Sequence, residues 1–238
     1  MTAELKASRH DATLVLIFAN PGRQNALDGS VVAAAIETLS KAERDDSVSA
    51  IVLTGADQCF CSGVEAGKDL ETQVLVLENL QNLIETMRSF PKPIIAAVEG
   101  VAVDAGFSLA LASDLIVAGQ NAGFGISPAQ IGTWAVGGAG WFLPQRLPQQ
   151  WTAEILLDAK PLTATRLQAA GLVNKLSADG AALDKALAWA EQLSAALASA
   201  PAAFEQFKTL LGNASSTTLN ESFSSEKHRL LTKRPGTT

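Results

Sequence analysis

The stretch PKPIIAAVEGVAVDAG, residues 91–106, decides the fold of this chain. Pro91 and Pro93 end the preceding helix, because proline restricts the residue before it and cannot donate a helical hydrogen bond. Residues 94–98 form a short, continuous apolar run, which is typical of a strand buried on both faces of a parallel sheet. The small apolar residues 106–113 favour a helix. The stretch therefore predicts a strand, a loop and a helix in succession.

The same alternation extends on both sides of this stretch. Further strands are predicted by the β-formers at residues 12–20 and by the apolar runs at 50–54 and 115–118. A helix capped by Asp28 and a longer helix with an apolar stripe over residues 74–87 lie between them. This order predicts an α/β fold with parallel strands, and alternation alone favours a doubly wound sheet.

The pattern changes in the last part of the chain. Residues 127–140 are glycine-rich and predict a loop, and from Trp151 onward the pattern is mainly helical, with one apolar face along residues 182–200. We therefore predict a core domain over residues 1–180 and a helical C-terminal region over residues 181–238.

Composition narrows the class of protein. The chain has 238 residues, of which 47% are hydrophobic and 18% charged, so it can bury a substantial core. Its net charge of −6 argues against a nucleic-acid surface. No apolar run approaches the roughly 18 residues that span a bilayer, and residues 1–10 lack an apolar signal core. The two cysteines, Cys59 and Cys61, are too few for a metal site. We expect a soluble cytoplasmic protein with reduced thiols that binds no membrane, nucleic acid or metal.

Two loops carry the candidate chemistry. The first is FCSGVE, residues 60–65, and the second is GVAVDAG, residues 100–106. Each follows a predicted strand, where open α/β folds bind ligands, and Gly63 and Gly106 allow the backbone to approach a ligand closely. The second loop opens a helix, whose free N–H groups favour negative charge. The alternative is that these glycines serve turn geometry alone. Neither a G-x-G-x-x-G fingerprint nor a phosphate loop is present, which argues against a nucleotide site.

Several segments occur in a fixed order along the chain. They are NP and NAL within residues 20–27, AIVLTG and FCSG within 50–63, PKPIIAAVEG at 91–100, DLIVA at 114–118 and AGLV at 170–173. In this order and spacing the chain resembles the crotonase (enoyl-CoA hydratase/isomerase) superfamily over about residues 12–212.

The resemblance implies a fold of ββα spiral turns, with a helical C-terminal region that supports a homotrimer or a dimer of trimers. It implies an acyl-CoA thioester as substrate and no permanently bound cofactor. It also implies two backbone donors for the thioester oxygen, the N–H groups of Val64 and Ala105; the latter lies in a D-A-G that replaces the usual G-G-G. Such donors stabilise an enolate, and losing one costs about 3 kcal/mol in comparable sites.

The chain departs from the family pattern at its acid/base positions. Ser108 and Pro128 occupy the places of the two hydratase glutamates, and Val136 occupies a third place that is acidic in some relatives. None of these can act as a carboxylate acid or base, so standard hydration is not predicted. Asp104 is the catalytic candidate, with a helix N-cap as its alternative role. Glu65 is a second acid near the site, with helix-dipole stabilisation as its alternative role.

The remaining expectations concern binding and rival functions. The predicted substrate-binding residues are Cys61, Ser62, Gly63, Glu65, Gly106, Ser108, Pro128, Trp134, Val136 and Gly137. Loss of both glutamates motivates one rival, a non-catalytic relative that binds acyl-CoA. The second rival is a serine hydrolase, since residues 106–110 faintly resemble a nucleophile elbow. That mechanism needs a histidine base, and the two histidines, His10 and His228, lie at the two ends of the chain.

Overall fold

The computed structural model describes residues 3–65, 70–127, 137–158, 160–200 and 202–213. The strands in these residues, in chain order, are β1 (Glu4–His10), β2 (Thr13–Ala19), β3 (Ala50–Gly55), β4 (Ile94–Val98), β5 (Val101–Val103), β6 (Leu115–Gly119), β7 (Gly123–Gly125), β8 (Leu162–Thr163) and β9 (Lys175–Ser177). The helices are α1 (Gly29–Glu43), α2 (Leu70–Ser89), α3 (Ala105–Ala112), α4 (Ala139–Arg146), α5 (Gln149–Asp158), α6 (Ala164–Ala169), α7 (Ala182–Leu197) and α8 (Ala202–Asn213).

Two sheets organise the chain. The larger has the order β1-β2-β3-β4-β6-β9, with β1 antiparallel to β2 and the other neighbours parallel. The smaller has the order β5-β7-β8. Strand β4 lies in the larger sheet, β5 lies in the smaller one, and α3 follows, so one turn of chain is a ββα unit. The predicted crotonase-like spiral is confirmed. The doubly wound sheet that alternation favoured is wrong, because each such turn adds a short strand to a second sheet before its helix begins.

The central strands are buried on both faces, as their continuous apolar runs predicted. Along β3, Ile51 and Leu53 join the main core with α1, α2 and α3, whereas Ala50 and Val52 join a second cluster on the opposite face. Side chains alternate between faces along a strand, so one apolar run serves two cores. Three alanines of α7, at 182, 186 and 190, cover the second face.

Two carboxylates fix helix starts against this sheet. The Asp28 side chain accepts a hydrogen bond from the Val31 N–H at 2.9 Å, which confirms the predicted cap of α1. Glu99, directly after β4, accepts from the Ala182 N–H at 2.8 Å at the start of α7. Helix α7 is therefore anchored to the carboxyl end of a central strand.

The sequence patterns did not predict some of the strands. The residues of β1 are almost all exposed, so this edge strand carries no apolar face that a pattern could detect. Strands β5, β7, β8 and β9 have two or three residues each, which is too short for a periodicity.

The chain divides into two compact units, residues 1–196 and 197–238. The described part of the second unit contains α8. Helix α7 begins two residues after the predicted domain boundary and lies almost wholly within the first unit; the division after residue 180 stays a prediction. Within the described ranges, no helix combines the length and apolarity needed to cross a membrane.

Gly55, the last residue of β3, should not tolerate a side chain. A Cβ built there lies 1.8 Å from the Cys59 carbonyl oxygen and 2.2 Å from that of Phe60. We expect Gly55→Ala to lower the free energy of unfolding by about 3 kcal/mol or more, because backbone must move to accept the methyl group. Urea denaturation followed by circular dichroism measures this change.

The matched control is Gly29→Ala. Gly29 begins α1, and a Cβ built there meets nothing within 4 Å. Alanine should leave the stability unchanged or raise it by up to about 1 kcal/mol, since it reduces the entropy of the unfolded chain. Equal unfolding midpoints for the two variants would contradict the argument.

Candidate active site

The two predicted loops are locked together by backbone hydrogen bonds. The Cys61 N–H donates to the Val101 carbonyl at 3.0 Å, and the Val103 N–H donates to the Cys61 carbonyl at 3.1 Å. Cys61 thereby pairs with Ala102 and extends the smaller sheet by one residue. Segments about 40 residues apart in sequence are joined by their main chains.

Glycine makes this approach possible at two points. A Cβ on Gly106 would lie 2.1 Å from the Cys61 carbonyl oxygen, so only glycine fits at that contact. Gly63 has a φ of +123°, a conformation that side chains disfavour, and a Cβ there would lie 3.3 Å from the Asp104 Cβ. Gly63 and Gly106 therefore have a specific steric role beyond ordinary turn geometry.

The first loop leaves one amide without a backbone acceptor. The Leu27 N–H donates to the Gly63 carbonyl at 2.9 Å, and the Glu65 N–H donates to the Leu27 carbonyl at 2.7 Å. Val64, between these residues, directs its own N–H away from Leu27, since successive amides of an extended chain point in opposite directions. Among the described residues, the Val64 N–H has no backbone acceptor.

The second loop supplies amides from the first turn of α3. The first hydrogen bond of this helix runs from the Ser108 N–H to the Asp104 carbonyl at 3.0 Å, while the Asp104 N–H donates to the Gly125 carbonyl. The N–H groups of Ala105, Gly106 and Phe107 therefore have no acceptor within the helix. Ala105 is fully buried, and Val64 is half-buried.

Asp104 lies between the two loops in a strained conformation. Its φ of 52° and ψ of −119° form a combination that non-glycine residues rarely adopt. The carboxylate is buried, and Oδ1 accepts a hydrogen bond from the Ser127 N–H at 2.7 Å. Asp104 is the N-cap residue of α3 by position, but its side chain makes no cap hydrogen bond to the helix. Oδ2 accepts no hydrogen bond within the described part of the chain.

Comparisons with known proteins match this architecture. The family model for enoyl-CoA hydratase/isomerase matches residues 9–234. The chain belongs to this family. It is similar to a 2,3-dehydroadipyl-CoA hydratase of Escherichia coli, with 31% identity over 81% of this chain and 76% of that protein. A 1,2-epoxyphenylacetyl-CoA isomerase of the same organism is 29% identical over 79% of this chain and 73% of its own length.

Solved structures of the family have the same fold. A crystal structure of an enoyl-CoA hydratase from Polaromonas sp. JS666 superposes with a TM-score of 0.88 and 38% sequence identity. That match covers 96% of this chain and 90% of the other. The crotonase identification from the ordered segments is confirmed.

The family's N-P-x-x-x-N-A-L opening holds the first loop in place. The Asn25 amide donates to the carbonyls of Ala56 and Cys59 at 2.8 and 2.6 Å, and its oxygen accepts from the Asn20 N–H at 3.0 Å. Asn25 has a φ of 56°, a conformation that asparagine tolerates better than most residues. Neither asparagine was predicted to have a role, although two asparagines so close to a strand end are a detectable signal.

Several predicted binding residues have structural partners. The Ser62 hydroxyl donates to the Arg23 carbonyl at 3.0 Å. Glu65 accepts from the Asn20 side chain at 3.1 Å and lies 3.9 Å from the Arg23 guanidinium. The first described residue of α2 is Leu70 and the acid in its first turn is Glu71, and the dipole role of Glu65 stays a prediction.

The structure brings two further predicted residues together. Ser108 is fully buried inside α3, and a Cβ built on Gly137 would lie 2.9 Å from the Ser108 Cβ. A nucleophile elbow places serine on a strand-to-helix turn, so the position of Ser108 inside a helix does not favour the hydrolase alternative. His10 lies on β1. Pro128, Trp134, Val136 and His228 lie outside the described residues.

Burial controls the chemistry of the two thiols. Cys61 is fully buried, and loss of solvation raises the pKa of its thiol to about 12; the Gly63 backbone bond acts in the opposite direction, and the charges of Cys59 and Asp104 raise it further. Burial also raises the pKa of Cys59. Cys61 is therefore a neutral thiol at physiological pH and cannot serve as a thiolate nucleophile.

Protein stability should fall at alkaline pH because of Cys61. The folded pKa is raised above the ordinary value of 9.0, so the stabilising effect is complete below pH 9 and is lost as the pH rises toward about 12. Between pH 8 and pH 10 the free energy of unfolding should drop by about 1.3 kcal/mol more in the wild type than in Cys61→Ser. Urea denaturation at both pH values measures this difference, and identical pH dependence in the two proteins would refute the assignment.

Proposed function

We propose that this chain is an acyl-CoA enzyme that binds the thioester oxygen of its substrate with the N–H groups of Val64 and Ala105. The observation that carries the proposal is the locked pair of loops, which leaves both amides without backbone acceptors in the described residues. Membership of the enoyl-CoA hydratase/isomerase family supports the thioester as substrate.

The chemistry follows from the charge that develops on that oxygen. Removal of a proton next to the thioester carbonyl, or addition to the adjacent double bond, places negative charge on the carbonyl oxygen. Two N–H groups fixed in advance stabilise this charge without reorganisation during the reaction. The first-turn position of Ala105 adds the positive end of the α3 dipole.

Asp104 is our candidate for the acid/base. Its carboxylate lies next to Gly63, directly before the Ala105 donor, and the Ser127 N–H orients one oxygen while the other remains available. A carboxylate held in this way can move a proton on or off the substrate carbon beside the thioester. The strained backbone at Asp104 is consistent with a functional constraint. In this proposal Ser108, Pro128 and Val136 transfer no proton, because none of them carries a carboxylate.

The proposal also includes the cofactor requirement, the cellular location and the oligomeric state. The reaction uses no resident cofactor, since the coenzyme A thioester brings its own activation. We expect the enzyme to work in the cytoplasm as a homotrimer or a dimer of trimers, as the family resemblance implies.

Asp104→Asn tests the acid/base assignment. Asparagine keeps an oxygen for the Ser127 N–H and removes only the charge, so the loop should keep its conformation. We expect kcat to fall about 100-fold or more while KM for the acyl-CoA stays within about threefold. Steady-state kinetics on a panel of enoyl-, 3-enoyl-, malonyl- and aroyl-CoA thioesters provides the measurement, with Glu65→Gln as the matched control.

The outcomes separate the rival functions. If the wild type binds acyl-CoA in calorimetry but turns over no thioester of the panel, the non-catalytic relative is the correct assignment. Full activity in Asp104→Asn would remove Asp104 from the mechanism. Labelling of Ser108 by a fluorophosphonate probe would instead support the serine hydrolase.

Replacement of Val64 by its α-hydroxy acid tests the oxyanion donor itself. The resulting ester lacks the N–H and keeps the side chain, so only the proposed donor is lost. We expect kcat/KM to fall about 100-fold or more, the usual effect of losing one such donor. Valine inserted at residue 64 by the same suppression method is the control, and equal activity of the two proteins would disprove this role for the amide.

A further inference from the structure

Two arginines contact one aromatic pair, Trp141 and Phe142 of α4. The Arg88 guanidinium, in the last turn of α2, lies 4.6 Å from the centre of the Trp141 ring and 5.5 Å from that of Phe142. Arg146, the last residue of α4, lies 5.2 Å from the Phe142 ring. Phe142 is buried, while 51% of Trp141 is exposed. Arg88 is eighteen residues beyond the start of α2, a helical distance of about 27 Å.

Neither guanidinium forms an ion pair with a described carboxylate. Within the described ranges, Arg88 and Arg146 take part in no ion pair and donate no hydrogen bond, and the arginines in ion pairs there are Arg9, Arg23 and Arg166. Positive charge in the last turn of a helix is favoured by the dipole, but each helix end supplies only about half a charge. Among the described residues, the two full charges beside this ring therefore have no carboxylate in ion-pair contact.

A second arginine–tryptophan contact in the same chain shows the usual arrangement. Arg166 lies 5.0 Å from the Trp151 ring, and its two terminal nitrogens donate to the two oxygens of Glu154 at 2.8 and 3.2 Å. Stacking on an aromatic face therefore leaves the guanidinium fork free to bind a carboxylate. At Arg88 and Arg146 the stacking is present, but no described carboxylate is within ion-pair distance.

The charges that act on Arg146 are the like charge of Arg88 and the opposite charge of Asp114. Loss of solvation from packing against neighbouring groups lowers the pKa of Arg146, and the positive charge of Arg88 lowers it further, while Asp114 acts in the opposite direction. A guanidinium stays charged in spite of such a shift. An anion between the two arginines would relieve their repulsion.

We propose that Arg88 and Arg146 form a binding site for a small oxyanion with two negative charges, of the phosphate-ester or dicarboxylate class. The guanidinium fork matches the oxygens of either group, and two forks match two charges. The half-exposed Trp141 offers an apolar face to the organic part of such a ligand. The site does not depend on the proposed function, because it uses other residues on other helices.

Calorimetric titration of the full-length protein tests the site, with inorganic phosphate and succinate as probes. The buffer is Tris at pH 8, and sodium chloride keeps the ionic strength constant. We expect saturable binding of one equivalent of at least one probe. Arg88→Gln and Arg146→Gln should each weaken this binding about tenfold or more, since each removes charged hydrogen bonds.

The control is Arg166→Gln, because the Arg166 guanidinium already pairs with Glu154. This variant should bind the probe with the same affinity as the wild type. Arg88→Lys keeps the positive charge but lacks the guanidinium fork, so it should bind the probe with intermediate affinity. This variant tests the site if a glutamine variant does not fold. Saturation by phosphate alone assigns the phosphate-ester class, and saturation by succinate alone assigns the dicarboxylate class. No saturation by either probe, or unchanged affinity in the folded arginine variants, overturns the proposal.

Discussion

The contact between the Cys61 carbonyl and the backbone of Gly106 is the constraint on which the rest of the site depends. A Cβ at residue 106 would lie 2.1 Å from that oxygen, so the start of α3 and the first loop can meet only through glycine. The bonds of Cys61 to Val101 and Val103 then fix the register between the loops. Because these contacts are made by main-chain atoms, the positions of the Val64 and Ala105 amides are set by the fold rather than by their own side chains.

A site built from backbone tolerates change in the surrounding side chains. The relatives of this chain include proteins named as a hydratase and as an isomerase, so one framework accompanies different reactions. The family resemblance predicts serine and proline at the positions of the hydratase glutamates, and an aspartate precedes Ala105 in the second loop. Asp104 retains a strained φ and a buried carboxylate, both of which oppose folding. The hydrogen bond from the Ser127 N–H to one carboxylate oxygen offsets part of this free-energy cost.

Electrostatic features lie at two separate places in the molecule. Around the loops, burial keeps the Cys61 thiol neutral, and Asp104 and Glu65 are the sequence neighbours of the two amides that carry carboxylates. At the end of α2, Arg88 and Arg146 share an aromatic contact, and no described carboxylate forms an ion pair with either of them. The Arg166–Glu154 pair, stacked on Trp151, shows that the same chain neutralises an arginine where its own acid is within reach. This contrast supports the proposal of an external anion at Arg88 and Arg146.

The sequence by itself determined the family, the central strands, the first three helices and the two loops, because apolar runs, caps and ordered motifs are local properties of a chain. It did not predict β1, whose side chains face solvent, or the short strands that form the second sheet, because neither leaves a periodic pattern. Only the tertiary structure decided that the Asp104 side chain bonds to Ser127 instead of making a cap hydrogen bond to α3, and that Asn25 holds the first loop. These bonds join residues 23 to 34 positions apart, and such pairings depend on how the strands stack rather than on any neighbouring residue.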